Sequence, residues 1–322
     1  MTTPTVTIVI PTYNRCDLLK ETIESLYSQT FDNWQLIIVD DASKDNTWSW
    51  LQTLNDNRII PLRLEEHSER GKARNVGLDA AKGVLVLFLD DDDLLPKQAL
   101  QIHVETLKRF PRAIASLGGR HVFTEKGIVY KRKLVERKIV RNVWKDAFFR
   151  WNDVSGQCLF RTQYVKSVNG WDESINLLED VELFLRLGQL GPIVLIPDIV
   201  LLARRHDGQW RPANTLIPGT QIRENAVKLL KGRKRRVANR LLNARSFFVR
   251  AFCEEVDSHP LKTLMLYIRA LLGAPSMLSS PLVRPVIMAG ILDSLKTLLR
   301  KMSYSLKHLF SPSLNPIQKR ED

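Results

Sequence analysis

Short apolar runs alternate with amphipathic stretches over the first 110 residues. Four continuous apolar runs predict strands, namely VTIVI, LIIVD, IIPLRL and VLVLFLD at 6–10, 36–40, 59–64 and 84–90. Between the first two runs, Leu19, Ile23 and Leu26 fall on one helical face. Continuous apolar strands separated by helices are typical of a parallel sheet that is covered on both faces. The pattern therefore predicts an α/β fold with a doubly wound, mostly parallel sheet.

After residue 90 the pattern becomes mixed. It predicts, in chain order, helices over 94–109 and 134–152, a strand over 156–161, a helix over 177–190 and one or two strands within 193–206. Pro96 would lie in the first turn of the helix over 94–109, and Asp93 would cap it. The Gly- and Pro-containing stretch over 206–219 marks the end of a compact domain. We therefore predict a catalytic domain over 1–220 and a basic helical region over 221–322.

The positive charge is concentrated in the C-terminal region. The formal net charge is +13, and residues 226–322 hold 18 Lys and Arg against 6 Asp and Glu. The remainder holds 30 against 29, which argues against a nucleic-acid surface on the first domain. Three cysteines in no metal-ligand spacing are typical of a reducing compartment. The first residues lack the features of a signal peptide, so we expect a cytoplasmic protein.

The last part of the basic region has the pattern of an interfacial helix. Its apolar residues share one helical face, and they are Ile291, Leu292, Leu295, Leu298, Leu299, Met302, Leu306, Leu309 and Phe310. The stretch over 271–292 contains three prolines and Arg284, so it is not a clean membrane span. Two interpretations stay open: the region docks on an anionic membrane surface, or it folds onto the catalytic domain with its basic face in water.

Polar residues follow three of the predicted strands at the same edge of the sheet. PTYNR at 11–15, DDAS at 40–43 and DDDD at 90–93 come after the first, second and fourth strands. Ligands bind at this edge of open α/β sheets, although each stretch taken alone could be a plain loop or a helix cap. Four adjacent carboxylates repel one another unless a cation neutralises them. Mg²⁺ or Mn²⁺, held by carboxylates together with phosphates, would do so.

Five segments together resemble family 2 glycosyltransferases of the GT-A fold. The segments are PTYNR, VDDAS, ARNVG, the aspartate cluster and LLEDVELFLRL, and the resemblance covers about residues 4–210. It implies a hexosyl- or hexosaminyltransferase that depends on a divalent metal. Such an enzyme moves a sugar from a nucleotide-diphosphate donor, most commonly UDP-linked, to a glycan or lipid-linked acceptor, commonly with inversion. We expect it at the inner face of a membrane, with no nucleic-acid partner.

The resemblance also implies roles for individual residues in the donor site. Pro11, Tyr13 and Arg15 would border the nucleotide, Asp41 would hydrogen-bond the base, and Arg74 would lie near the base or the phosphates.

The aspartate cluster leaves two registers for the D-x-D motif of the family. Both Asp90-x-Asp92 and Asp91-x-Asp93 fit. We favour Asp92 as the metal ligand, and Asp90 or Asp91 for contact with the ribose or a bridging water. His206 would be a second ligand of the metal or diphosphate, or a surface histidine.

Asp180 matches the position of the catalytic base in the family. Glu179, Asp180 and Glu182 could also be acids that the first turn of a helix favours. Trp171 either stacks on a sugar or belongs to the core. Two alternative functions stay open: a nucleotidyl- or phosphotransferase that uses the aspartate cluster, and a non-enzymatic basic protein that binds membranes or nucleic acid.

Overall fold

The computed structural model describes residues 3–132, 138–140, 143–146, 155–175, 178–205, 216–253, 259–275, 278 and 284–309. The chain divides into two compact units, Met1–Lys231 and Gly232–Asp322.

Unit 1 combines nine strands with eight helices over its described ranges. The strands are β1 (Val6–Thr12), β2 (Trp34–Asp40), β3 (Ile59–Arg63), β4 (Leu85–Phe88), β5 (Ala115–Thr124), β6 (Gly127–Arg132), β7 (Lys138–Val140), β8 (Cys158–Arg161) and β9 (Ile193–Arg204). The helices are α1 (Cys16–Tyr27), α2 (Thr47–Leu51), α3 (Glu69–Ala80), α4 (Ala99–Arg109), α5 (Val143–Asp146), α6 (Thr162–Ser167), α7 (Glu179–Leu187) and α8 (Leu216–Leu229).

The strands form one sheet in the order β3-β2-β1-β4-β8-β5-β9-β7, with β6 paired to β5. The first four strands pair in parallel, as predicted. Strand β8 runs antiparallel to both β4 and β5, whereas β5 and β9 are parallel. In the β1–β2 pairing, Thr12 lies opposite Asp40. The carboxyl ends of β1, β2 and β4 therefore meet at one edge of the sheet.

Alternate residues of β2 show that both faces of the sheet are covered. Leu36 and Ile38 lie in the core cluster beneath α1 and α4, together with Leu19 and Leu100. Ile37 and Val39 lie in a second cluster with residues of α3 such as Ala73. Because both faces are buried, β2 reads as a continuous apolar run. The doubly wound fold predicted from the sequence is confirmed.

Two predictions around residue 94 are wrong. Helix α4 begins at Ala99, because Leu94 pairs through its backbone with Leu202 of β9. Leu94 N–H donates to Leu202 O at 3.0 Å, and Leu202 N–H donates to Leu94 O at 2.9 Å. Asp93 therefore does not cap α4. Its Oδ1 accepts a hydrogen bond from Arg204 N–H at 2.8 Å.

The helix predicted over 134–152 also differs from the structure. Strand β7 occupies 138–140 and α5 is a short helix over 143–146, and the rest of this stretch lies outside the described residues. The strand forms because Lys138, Ile139 and Val140 pair antiparallel with β9.

In its described residues, unit 2 contains three helices, α9 (Gly232–Cys253), α10 (Pro260–Gly273) and α11 (Arg284–Leu309). Glycine allows close contact between α10 and α11, because a Cβ at Gly290 would lie 2.3 Å from the Tyr267 ring. In the part of the chain that the structure describes, no helix is long and apolar enough to cross a bilayer.

Helices α10 and α11 each leave an apolar stripe exposed. The exposed residues are Leu261, Met265, Ile268 and Leu272 on α10, and Met288, Leu292, Leu295 and Leu299 on α11. Both helices bury a different face, through Leu266 and Ala270 on α10 and Ile287 on α11. The stripe on α10 follows the helical spacing i, i+4, i+7, i+11 and so lies on one face.

Candidate active site

The loop after β1 holds the aspartate cluster at one end. Thr12 Oγ1 donates to Asp91 Oδ2 at 2.8 Å. Arg15 Nη1 donates to Asp91 Oδ1 and to Asp92 Oδ2, each at 3.0 Å. Thr22 of α1 donates its hydroxyl to the backbone oxygen of Asp91 at 3.0 Å. One guanidinium therefore joins two adjacent carboxylates that would otherwise repel each other.

Arg74 holds the other end of the cluster and joins it to α7. Its side chain is buried, and it donates to Asp90 Oδ1 at 2.8 Å and to Glu179 Oε1 at 3.0 Å. It also donates to Ser155 Oγ at 3.0 Å, and Asp180 Oδ1 lies 4.0 Å from Nη1. Burial alone would lower the pKa of Arg74, but Asp90, Glu179 and Asp180 raise it above its usual value. Arg74 is therefore a charged bridge between the β4 loop and the start of α7.

Trp171 forms one wall of the Arg74 environment. The Arg74 guanidinium lies 4.4 Å from the centre of the indole ring, and Phe88 meets the same ring edge-on at 5.3 Å. Trp171 is 2% exposed. Of the two alternatives for this residue, the structure supports a place in the core.

Strand β9 also contacts the aspartate cluster, through Arg204. In addition to the bond from its backbone N–H to Asp93, Arg204 donates Nε–H to the backbone oxygen of Asp92 at 3.0 Å. Its guanidinium also donates to Glu21 of α1. His206, the second predicted metal ligand, lies outside the described residues.

The four aspartates differ in their charge environment. Burial acts to raise the pKa of Asp90, but Arg74 and Arg70 outweigh it and leave this pKa below its usual value. Burial, with repulsion from Asp92 and Asp90, raises the pKa of Asp91 to about 6 despite Arg15 and Thr12. Burial and repulsion from Asp90 and Asp92 also raise the pKa of Asp93. Negative charge is therefore less compensated at Asp91 and Asp93 than at Asp90.

The chemistry of these side chains fits a divalent cation. Within the described ranges, no three His, Cys, Asp or Glu side chains are arranged to hold a metal ion by themselves. Mg²⁺ does not need such a cage, because it is usually bound by one or two carboxylates together with substrate phosphates. The buried carboxylates of Asp91 and Asp92 offer that kind of partial site.

The loops after β1 and β2 are joined by Asn14. This residue adopts a left-handed backbone conformation with φ 54°. Its side-chain Oδ1 accepts a hydrogen bond from Lys44 N–H at 2.7 Å, and its own N–H donates to Ser43 Oγ at 2.9 Å. Pro11 pairs with Val39 in the parallel register just before these loops. Asp41 N–H also donates to Thr12 O at 2.9 Å, so Asp41 lies next to the residue that precedes Tyr13.

His67, in the segment between β3 and α3, completes this group. Its ring stacks on Tyr13 with the ring centres 4.1 Å apart and an angle of 23° between the planes. Nδ1 of His67 lies 2.8 Å from Asp41 Oδ2, and Ser68 N–H donates to Asp41 Oδ1 at 2.8 Å. His67 was not predicted from the sequence, because a lone histidine in EEHSER carries no motif. Only the fold brings it to Tyr13.

The predicted residues thus form three groups. Arg15 joins Asp91 and Asp92, Arg74 joins Asp90 to the region of Asp180, and Tyr13 lies with Asp41. Asp180 occupies the first turn of α7, as expected from the sequence. The preceding residue, Leu178, has a left-handed backbone with φ 62°, so the chain turns sharply into this helix.

Comparison with known proteins identifies the family. The family model described as Glycosyl transferase family 2 matches residues 7–167, which is half of the chain. The chain belongs to glycosyl transferase family 2. A crystal structure of S. aureus TarS 1-349 in complex with UDP-GlcNAc matches with a TM-score of 0.63 and 18% identity, over 91% of this chain and 88% of that chain. The match shows a shared fold and confirms the predicted GT-A type.

Two curated relatives match shorter segments. The UDP-Glc:alpha-D-GlcNAc-diphosphoundecaprenol beta-1,3-glucosyltransferase WfaP of Escherichia coli is 42% identical over 108 residues, 33% of this chain and 43% of the relative. The GalNAc(5)-diNAcBac-PP-undecaprenol beta-1,3-glucosyltransferase of Campylobacter jejuni is 37% identical over 123 residues, 37% of each protein. The chain spans less than half the length of each of these relatives.

Replacing Arg74 by methionine tests its role as a buried bridge. Arg74→Met leaves the buried carboxylate of Glu179 without its main cation, so we expect a loss of about 3 kcal/mol in the free energy of unfolding. Urea denaturation measures the loss. Arg70→Met is the matched control, because Arg70 lies on the same helix, 3.8 Å from the same Glu179 oxygen, but is 49% exposed. We expect the control to lose less than about 1 kcal/mol. Equal losses in the two variants would contradict the bridge.

Proposed function

We propose that this protein is a metal-dependent glycosyltransferase that moves a hexosyl or hexosaminyl group from a UDP-sugar to a lipid-linked or glycan acceptor. The observation that carries the proposal is the arrangement around Arg74. A single buried guanidinium joins Asp90 of the aspartate cluster to the start of α7, where Asp180 lies. A site for a diphosphate and a carboxylate base for an acceptor thereby share one crevice at the edge of the sheet.

The named relatives support the classes of donor and acceptor. Two of them are named as glucosyltransferases that act on undecaprenyl-diphosphate-linked sugars, and one of these names specifies UDP-Glc as donor. The TarS structure is described as a complex with UDP-GlcNAc. We therefore assign a UDP-sugar as the donor and a lipid-diphosphate-linked sugar as the favoured acceptor.

In the proposed donor site, the nucleoside lies against the loops after β1 and β2. Tyr13 offers an aromatic face for the base, Pro11 borders it, and Asp41 accepts a hydrogen bond from a base N–H. Asp90 or Asp91 contacts the ribose or a bridging water, and Arg15 borders the phosphates. These contacts would fix the diphosphate next to Asp92.

Asp92, with His206 as a second candidate ligand, would hold Mn²⁺ or Mg²⁺ together with the diphosphate oxygens. A divalent cation held there would supply stabilisation of the negative charge on the leaving diphosphate. Arg15 already neutralises part of the charge of Asp91 and Asp92 at 3.0 Å, which limits repulsion before the donor binds.

Asp180 would act as the catalytic base. It accepts the proton of the acceptor hydroxyl while the hydroxyl oxygen forms a bond to the anomeric carbon. The bond from that carbon to the diphosphate oxygen breaks, and its electron pair leaves with UDP. Attack from the side opposite the diphosphate inverts the anomeric configuration. The Arg74 guanidinium, 4.0 Å from Asp180 Oδ1, offsets part of the negative charge of this carboxylate.

Replacing Asp180 by asparagine separates the chemical step from donor binding. With a UDP-sugar, Mn²⁺ and an undecaprenyl-diphosphate-linked acceptor, we expect Asp180→Asn to lower kcat by about 10²-fold to 10⁴-fold. The Kd for the UDP-sugar should stay near the wild-type value, because Asp180 does not contact the nucleotide in this proposal. Asp17→Asn is the control, since this carboxylate is 91% exposed on α1, and it should keep full activity. Wild-type turnover in Asp180→Asn, or transfer of the nucleotide instead of the sugar, would contradict the assignment.

Unit 2 would place the enzyme at the inner face of a membrane. Its apolar stripes on α10 and α11 are exposed, and exposed basic residues flank them, Lys262 and Arg269 on α10 and Lys296 and Arg300 on α11. Residues 226–322 carry 18 Lys and Arg against 6 Asp and Glu. A protein surface that combines apolar area with positive charge binds preferentially to an anionic bilayer. A peripheral position there would bring the enzyme to a lipid-linked acceptor.

Vesicle sedimentation tests the proposed membrane surface. We expect the full chain to pellet with phosphatidylglycerol-containing vesicles, more weakly with pure phosphatidylcholine vesicles, and less as salt rises. The double variant Leu261→Gln, Leu272→Gln should lose most of the binding, because it removes two residues of the α10 stripe. Leu190→Gln is the control, an exposed leucine of unit 1. Equal binding by the double variant and the control would contradict docking through α10.

A further inference from the structure

The position of His67 has a consequence for donor binding. The imidazole stacks on Tyr13, with 4.1 Å between the ring centres, and its Nδ1 lies 2.8 Å from Asp41 Oδ2. With the proton on Nδ1, the ring donates a hydrogen bond to this carboxylate. His67 therefore presents a flat aromatic ring to Tyr13 and an N–H donor to Asp41.

A pyrimidine base in the proposed donor site would need the same two contacts. It would stack on the Tyr13 ring and donate an N–H to Asp41. The imidazole already covers one face of Tyr13 and occupies one oxygen of Asp41. The imidazole thus makes the same two kinds of contact that a nucleobase would make, stacking on Tyr13 and donation of an N–H to Asp41.

We propose that His67 occupies the nucleobase position in the donor-free protein and moves out when the donor binds. This inference rests on the proposed function, because it assigns the ligand of that same site. His67 then competes with the base of the donor for Tyr13 and Asp41, and this competition lowers the affinity for the donor.

The surroundings of His67 allow such a movement. Its side chain is 45% exposed, and it lies between the end of β3 at Arg63 and the start of α3 at Glu69. A stacked pair of rings and a hydrogen bond from a half-exposed side chain are both modest interactions. Asp41 is nearly buried, but it keeps the hydrogen bond from Ser68 N–H when the imidazole leaves. The movement therefore does not leave this carboxylate without a donor before the base arrives.

When His67 occupies the site in some of the protein molecules, the apparent affinity for the ligand is reduced. It equals the intrinsic affinity multiplied by the fraction of molecules in which the site is open. Removing the imidazole should therefore tighten nucleotide binding. A residue that only formed a wall of the pocket would have the opposite effect, since its loss would weaken binding. The sign of the change distinguishes the two roles.

The experiment measures the Kd for UDP in the presence of Mn²⁺ by isothermal titration calorimetry on the full chain. We expect His67→Ala to bind UDP about threefold to tenfold more tightly than wild type, a gain of about 0.6–1.4 kcal/mol. Glu66→Ala is the matched control, an exposed side chain in the same segment, and its Kd should equal that of wild type. Melting temperatures of the three proteins verify that each is folded.

A second measurement follows the imidazole itself. The ring resonances of His67 in a proton–carbon NMR spectrum are assigned by their absence in His67→Ala. We expect saturating UDP with Mg²⁺, which is not paramagnetic, to move them toward the values of a solvent-exposed histidine. Unchanged resonances at saturation, or weaker or equal UDP binding by His67→Ala, would overturn the role of His67 and leave the donor site standing. Absence of UDP binding in wild type and in His67→Ala alike would overturn the proposed function together with this inference.

Discussion

The candidate site depends on one buried charge, the guanidinium of Arg74. Its partners come from three separate stretches of chain, the loop after β4, the segment before β8 and the first turn of α7. Charges so far from water are stable only when they are paired and hydrogen-bonded. Arg74 satisfies Asp90 and Glu179 at once, and it does so in front of Trp171. Without it, the buried carboxylate of Glu179 would lose its main cation, and Asp90 would lose the cation that most lowers its pKa.

The pairing of Arg74 with Asp90 also determines what the rest of the aspartate cluster can do. Because Arg74 pairs with Asp90, the less compensated negative charge lies on Asp91 and Asp93, and other residues contact the remaining three aspartates. Arg15 reaches two of these from the β1 loop, and the backbone of Arg204 reaches the third from β9. The β1 loop, the β4 loop and the end of β9 therefore meet at one edge of the sheet. That convergence forms the candidate site, in which we propose that a metal-bound diphosphate lies beside a carboxylate base.

The features of this arrangement that depend on a short stretch of sequence could be predicted. The four parallel strands appear as apolar runs, and the polar residues after β1, β2 and β4 are predicted to meet because strand ends in a parallel sheet coincide. Contacts between distant segments could not be predicted in this way. The pairing of Leu94 with Leu202 delays α4 to Ala99, and no local pattern at either residue signals it. His67 is likewise placed by the fold alone. Arg74 was expected near the donor, but sequence spacing could not show that it lies buried between carboxylates.

Calorimetric titration of UDP with and without Mn²⁺ is the measurement that would best show whether the aspartate cluster binds a nucleoside diphosphate through a divalent cation. We expect saturable binding of UDP in the presence of Mn²⁺, and binding at least about tenfold weaker without the metal, a difference of about 1.4 kcal/mol. We expect the same weakening in Asp92→Asn with Mn²⁺ present. Binding that is indifferent to the metal and to Asp92, or no binding of any nucleoside diphosphate, would contradict this role of the cluster.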